Sequence, residues 1–169
     1  MKRNYKISVL GVFLLMTVIL LAQIPAVAAD GTNVVPTCVQ FTKNGEPIGK
    51  IDCSDRANDL HVDFNGRGVV QFTQNGKPIG DPQKSTPASN DFIVKWDPLT
   101  GQIKEFIWTR DGKPVGNADM PRGANDLHFK TGKIVSATWT LNGEPIKDQE
   151  IVVPKGANDL EWYVRLPQY

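Results

Sequence analysis

Two short blocks, each present four times, constrain this chain more than anything else in it. One is a turn dipeptide: Asn44-Gly45, Asn75-Gly76, Asp111-Gly112 and Asn142-Gly143. The other is an Asn-Asp-apolar block: Asn58-Asp59-Leu60, Asn90-Asp91-Phe92, Asn125-Asp126-Leu127 and Asn158-Asp159-Leu160. Blocks that return at a steady spacing mark a fold built from repeated supersecondary units. Asn-Gly and Asp-Gly are the preferred two-residue hairpin turns, because both central residues take positive φ. Ahead of the turns, apolar residues fall at alternate positions: Val39 and Phe41, Val70 and Phe72, Phe106 and Trp108, Ala137 and Trp139. That alternation predicts a half-buried strand running into each hairpin.

The segment after each turn is short and carries proline: Glu46-Pro47-Ile48, Lys77-Pro78-Ile79, Lys113-Pro114-Val115 and Glu144-Pro145-Ile146. A proline has no N–H to offer a further neighbour, so these return strands are predicted at sheet edges. Each Asn-Asp block opens a third strand. Leu60, Val62 and Phe64 alternate with Asp59, His61 and Asp63, and Phe92, Val94 and Trp96 repeat the pattern. These strands are expected to turn through Asn65-Gly66, Asp97 to Gly101, or Thr131-Gly132 and to pair with the strand that follows.

No sustained helical period occurs after Asp30, so the fold class read from the sequence is all-β. It consists of four tandem antiparallel β-meander repeats of about 33 residues, at roughly 37–68, 69–103, 104–135 and 136–169. The turns at Asn44 and Asp111, and those at Asn75 and Asn142, are each 67 positions apart, which makes the array two copies of a double repeat. The first strand has no Asn-Asp strand before it, and the last Asn-Asp strand has no follower. Pairing these two leftovers would close the array.

The start of the chain reads as an export signal. Lys2, Arg3 and Lys6 precede an apolar run from Ile7 to Ala22, and Ala26-Val27-Ala28-Ala29 offers small residues for cleavage. Residues 1–29 are therefore assigned as a signal peptide and 30–169 as one β-repeat domain, secreted or held in the cell envelope, with no membrane insertion after cleavage. Taking those three basic residues from the 19 leaves 16 against 18 acidic ones, a net of −2. This balance excludes the basic surface of a nucleic-acid-binding protein. In an exported chain the two cysteines, Cys38 and Cys53, read as a structural disulfide.

The sequence offers no catalytic residues: there is no nucleophile elbow, histidine-pair metal motif or phosphate loop. No cofactor is expected. The candidate ligand contacts are the repeated polar pairs Asn58, Asp59, Asn90, Asp91, Asn125, Asp126, Asn158 and Asp159, together with His61 and His128. The bland account of the pairs is local: Asn tolerates αL and Asp can cap its own turn. His61 lies between Asp59 and Asp63, a combination that hints at a metal. His128, at the equivalent place, has Asp126 and Lys130 instead, so no metal is assigned. Trp96, Trp108, Trp139 and Trp162 fall on apolar faces and are expected in the core. The function expected is an exported non-catalytic binding module for glycans or a cell-surface protein. A self-assembling structural or matrix subunit is the alternative, and a secreted hydrolase the third choice.

Overall fold

The computed structural model describes residues 34 to 165. The export segment 1–29 and its cleavage site lie outside the described residues, as do the last four positions. The described residues are all-β, with no helix among them. In chain order the strands are β1 (Thr37–Lys43), β2 (Glu46–Pro47), β3 (Asp52–Ser54), β4 (Asp59–Asn65), β5 (Val69–Gln74), β6 (Lys77–Pro78) and β7 (Gln83–Lys84). They continue as β8 (Asp91–Trp96), β9 (Ile103–Arg110), β10 (Lys113–Asn117), β11 (Asp126–Lys130), β12 (Lys133–Leu141), β13 (Glu144–Glu150) and β14 (Asp159–Val164).

The strands form two antiparallel sheets. The first runs β2-β1-β14-β11-β5-β6, with β3 beside β1 and β7 beside β5; the second runs β10-β9-β8-β4-β12-β13. The proline-bearing return strands β2, β6, β10 and β13 end the two paths. A strand with little to donate outward is found where nothing lies beyond it. Asn44, Asn75, Asp111 and Asn142 all take positive φ, between 51° and 54°, as the turn type demands.

Strand pairing departs from the simple meander. Of the strands that open on an Asn-Asp block, only β8 pairs with the strand that follows it, β9. Instead, β4 lies between β8 and β12, and β11 lies between β14 and β5. The cause is at the connections read as hairpins. Gly66 takes a φ of +96°, but Asn65 is not among the positive-φ residues, so the pair is a corner rather than a two-residue hairpin turn. There the chain leaves one sheet for the other. The corner meets its counterpart closely: the Thr131 hydroxyl donates to the Asn65 carbonyl at 3.0 Å, and a Cβ on Gly132 would sit 3.0 Å from that same oxygen.

The terminal strands are neighbours, with Val39 opposite Trp162 and Phe41 opposite Leu160. This pairing sits inside the first sheet, and neither sheet path returns to its own start. As a result, the inner strands of each sheet come from both halves of the chain: β1 and β5 enclose β14 and β11, while β9 and β12 enclose β8 and β4.

The core lies between the sheets. Phe92 stacks on Phe106 with ring centroids 4.8 Å apart, and Phe129 meets Phe92 edge-on at 4.7 Å. Trp96 packs against Trp162 at 4.8 Å and Trp139 at 6.1 Å. All four tryptophans are buried, where offset and edge contacts add to the burial of their large apolar surfaces. Cys38 and Cys53 form a disulfide that joins β1 to β3, at directly opposed positions. Cys38 is buried and Cys53 exposed, whereas Met120 and Val153, at the matching distance before their own Asn-Asp blocks, pack on the core.

Candidate functional site

The Asn-Asp blocks do not cap their own turns; they hold turns that lie far away in the chain. In the second sheet the Asn142 amide donates to Asn58 Oδ1 at 2.8 Å and the Gly143 amide to Asp59 Oδ2 at 3.0 Å. Asn58 Nδ2 returns a bond to Asn142 Oδ1 at 2.7 Å, and the Asn58 amide donates to the Thr140 carbonyl. The same set links Asn90 and Asp91 to Asp111 and Gly112. It also links Asn125 and Asp126 to Asn75 and Gly76. The last set joins Asn158 and Asp159 to Asn44 and Gly45. A two-residue hairpin turn leaves its central amides pointing outward, and these side chains satisfy them.

Each clamp aspartate lies directly opposite a pre-turn threonine: Asp159 opposite Thr42, Asp126 opposite Thr73, Asp91 opposite Thr109 and Asp59 opposite Thr140. Thr42, Thr109 and Thr140 are buried as a result. Thr73 is half-buried and opens onto the outer face of its sheet.

A groove of about 770 Å³ runs over the outer face of the first sheet, across β5, β11 and β14. Its floor follows from register: Gln71, His128 and Glu161 form one cross-strand row, and Thr73, Asp126 and Tyr163 the next. Strand alternation sends these side chains outward while Leu127 and Trp162 face the core. Burial holds the His128 imidazole below its usual pKa of 6.5, reinforced by Lys130 and opposed by Glu161 and Asp159. His128 Nε2 is buried with no hydrogen-bond partner among the described residues. Gln71 Nε2 is committed to the carbonyls of Phe72 and Ile79, at 2.9 and 3.2 Å, which leaves its carbonyl for other partners.

Of the sequence-derived candidates, Asn125, Asp126 and His128 line this groove. Asn58, Asp59, Asn90, Asp91 and His61 belong to the second sheet, and Asn158 and Asp159 hold the Asn44–Gly45 turn of the first. Gln71, Glu161, Tyr163 and Arg165 also line the groove and are not among those candidates. A signal for one of them existed: Tyr163 occupies the column that holds Asp63, Lys95 and Lys130 in the other Asn-Asp strands.

No protein family and no curated protein matches the sequence. Among solved structures, yeast NADH kinase complexed with NADH aligns at 10% identity and a TM-score of 0.44, over 79% of this chain. The chain spans 41% of that kinase.

Proposed function

We propose that the protein is an exported, non-catalytic binding module that takes a glycan across the outer groove of the first sheet. The observation that carries this reading is the convergence in one open concavity of an aromatic ring, Tyr163, with His128, Glu161 and the free carbonyl of Gln71. Sugars present an apolar ring face and a fringe of hydroxyls. An amphipathic aromatic with a few fixed donors and acceptors is suited to both. The disulfide is compatible with an extracytoplasmic location. In this reading the domain is a four-copy repeat arranged as two double repeats. Support comes from the recurrence of one turn geometry and one clamp at all four places. The pairing of β1 with β14 is what remains of the proposed closure.

A structural subunit that polymerises through its sheet edges is the weaker reading, because all four edge strands carry proline and β2 and β6 are only two residues long. A glycan array combined with sedimentation separates the two. Binding by a monomer, lost in Tyr163→Ala and Glu161→Gln variants that keep their thermal midpoint, is the expected result. Concentration-dependent polymers without glycan binding would support the structural reading instead. Intact-mass analysis tests export and cleavage after Ala28 or Ala29.

A further inference from the structure

The second sheet breaks its own pattern at one point. Each clamp aspartate faces, on the neighbouring Asn-Asp strand, the residue four positions beyond that strand's own clamp aspartate. Asp59 faces Lys95, Asp159 faces Lys130, and Asp126 faces Tyr163. At the remaining place Asp91 faces Asp63. Two of these aspartates thus meet a lysine, while here two carboxylates lie directly opposed, an arrangement that destabilises a sheet when uncompensated.

His61 stands on the same face beside this pair. Its Nε2 is 2.9 Å from Asp91 Oδ2 and 3.6 Å from Asp63 Oδ1. One ligating atom from each of the three residues falls within 4.8 Å of the others. The Asp91 side chain is only 1% exposed, and its Oδ1, like those of Asp59 and Asp126, is buried with no hydrogen-bond partner among the described residues, while its Oδ2 is the atom beside His61. The Asp63 and His61 side chains, at 47% and 32%, open the cluster to solvent. The outer partners hold the donors in place: the Ser136 hydroxyl donates to Asp63 Oδ2, and the Gly112 amide to Asp91 Oδ2 at 2.8 Å.

We propose that His61, Asp63 and Asp91 bind one divalent first-row transition-metal ion on the outer face of the second sheet. Two carboxylates and a neutral imidazole match a dication in charge. One nitrogen and two oxygens with room left for water are a donor set suited to Zn²⁺, while Mg²⁺ and Ca²⁺ favour oxygen alone. The contacts from Ser136 and Gly112 are the outer-shell support that fixes ligand orientation in metal sites. Along its own strand His61 is flanked by Asp59 and Asp63, and the equivalent His128 by Asp126 and Lys130, so the sequence alone assigns no metal. The fold replaces Asp59 with Asp91 from the adjacent strand, and no spacing within a single strand shows that. The site lies on the opposite sheet from the groove and does not depend on the proposed function.

Zn²⁺ titration of the untagged protein, followed by calorimetry and by the His61 ring resonances, tests the proposal. The expected result is one equivalent bound, with His61 perturbed and His128 not. In Asp63→Lys, which restores the cross-strand lysine found at two sister positions, affinity should fall at least tenfold while the metal-free thermal midpoint is kept or raised. His61→Gln should fall likewise, and His128→Gln should bind as the parent does. Equal Zn²⁺ affinity in the parent and Asp63→Lys, or an unperturbed His61 resonance at saturating Zn²⁺, would overturn it.

Discussion

The Gly143 amide donates to Asp59 Oδ2 at 3.0 Å across 84 residues of sequence. With its three counterparts, this bond ties every clamped turn to a strand beside its hairpin. Local turn chemistry and long-range topology are therefore one device. A hairpin turn that would otherwise be held only by its own strands is held by a neighbouring strand as well.

Asp59→Ala should therefore cost about 1.5–3 kcal/mol, the range for removing a hydrogen bond to a charged group. Urea denaturation gives the magnitude. Hydrogen exchange gives the location: the Gly143 amide should lose protection while the Gly112 amide, held by Asp91, keeps its own. Uniform loss across both turns would show that the clamp acts only through global stability.

Much of this fold was legible because it rests on local rules. Positive φ at Asn44, Asn75, Asp111 and Asn142, the return strands at sheet ends and the buried tryptophans all follow from turn chemistry and period-two patterning. The Asn65-Gly66 corner misled because the dipeptide has the composition of a hairpin turn, and only packing against Thr131 and Gly132 shows that the chain changes sheets there. The site was less legible still. Asn158 shows its polarity in the sequence but not that its partner is Asn44. Tyr163, Glu161 and His128 become neighbours only through the β11–β14 register.

The sheet-changing connection also makes Gly68 sensitive. A Cβ there would lie 2.6 Å from Phe129 Cε2, 2.9 Å from its Cζ and 3.2 Å from Phe64 Cε2. Both rings are buried and cannot easily yield. Gly68→Ala should cost roughly 1–3 kcal/mol through overpacking. Part of that cost should vanish in a Phe129→Leu background, where the ring edge is gone, as a double-mutant cycle would measure. Strict additivity would place the strain elsewhere.

Reducing the Cys38–Cys53 bond, which spans a sequence separation of 15, should lower stability by about 3 kcal/mol on the loop-entropy account. A Cys38→Ala, Cys53→Ala double variant should show the same loss in denaturant titrations. β3 should exchange its amides faster than β14 when the bond is opened, because β3 pairs with β1 alone whereas β14 pairs on both sides.

His128 supplies a pH dependence with a defined direction. Burial, aided by Lys130, depresses its pKa in the folded chain below the ordinary 6.5. Below about pH 6.5 the unfolded chain takes up a proton that the folded one resists. The stabilisation is thus complete above that value and declines as pH falls toward the depressed folded value. The difference in thermal midpoint between the parent and His128→Gln should therefore shift against the parent between pH 7.5 and 5. A difference constant across that range would mean that His128 titrates alike in both states.

The last consequence concerns how the two halves of the chain depend on each other. β1 and β5 precede the Asp97–Gln102 connection, yet the strands between them, β14 and β11, follow it; in the second sheet, β8 and β4 precede it and β9 and β12 follow. Neither half can build its own sheet by this pairing, since each lacks the strands it encloses or those that enclose it. Leu99 and Thr100 are exposed in this connection, so a cut between them removes no core contact. Fragments ending at Leu99 and beginning at Thr100 should show no cooperative unfolding as monomers. Mixed in equal amounts, they should form a one-to-one complex. Trp96, from the first fragment, would then regain its contact with Trp139 and Trp162 of the second, which restores the aromatic circular dichroism of the intact chain. Because each half carries two of the four clamped turns and two of the four Asn-Asp strands, a fragment alone at high concentration should form homodimers that exchange strands in the same way. The decisive measurement is sedimentation with near-ultraviolet circular dichroism: a first fragment that is monomeric and cooperatively folded would mean that its strands pair with one another, against the topology described.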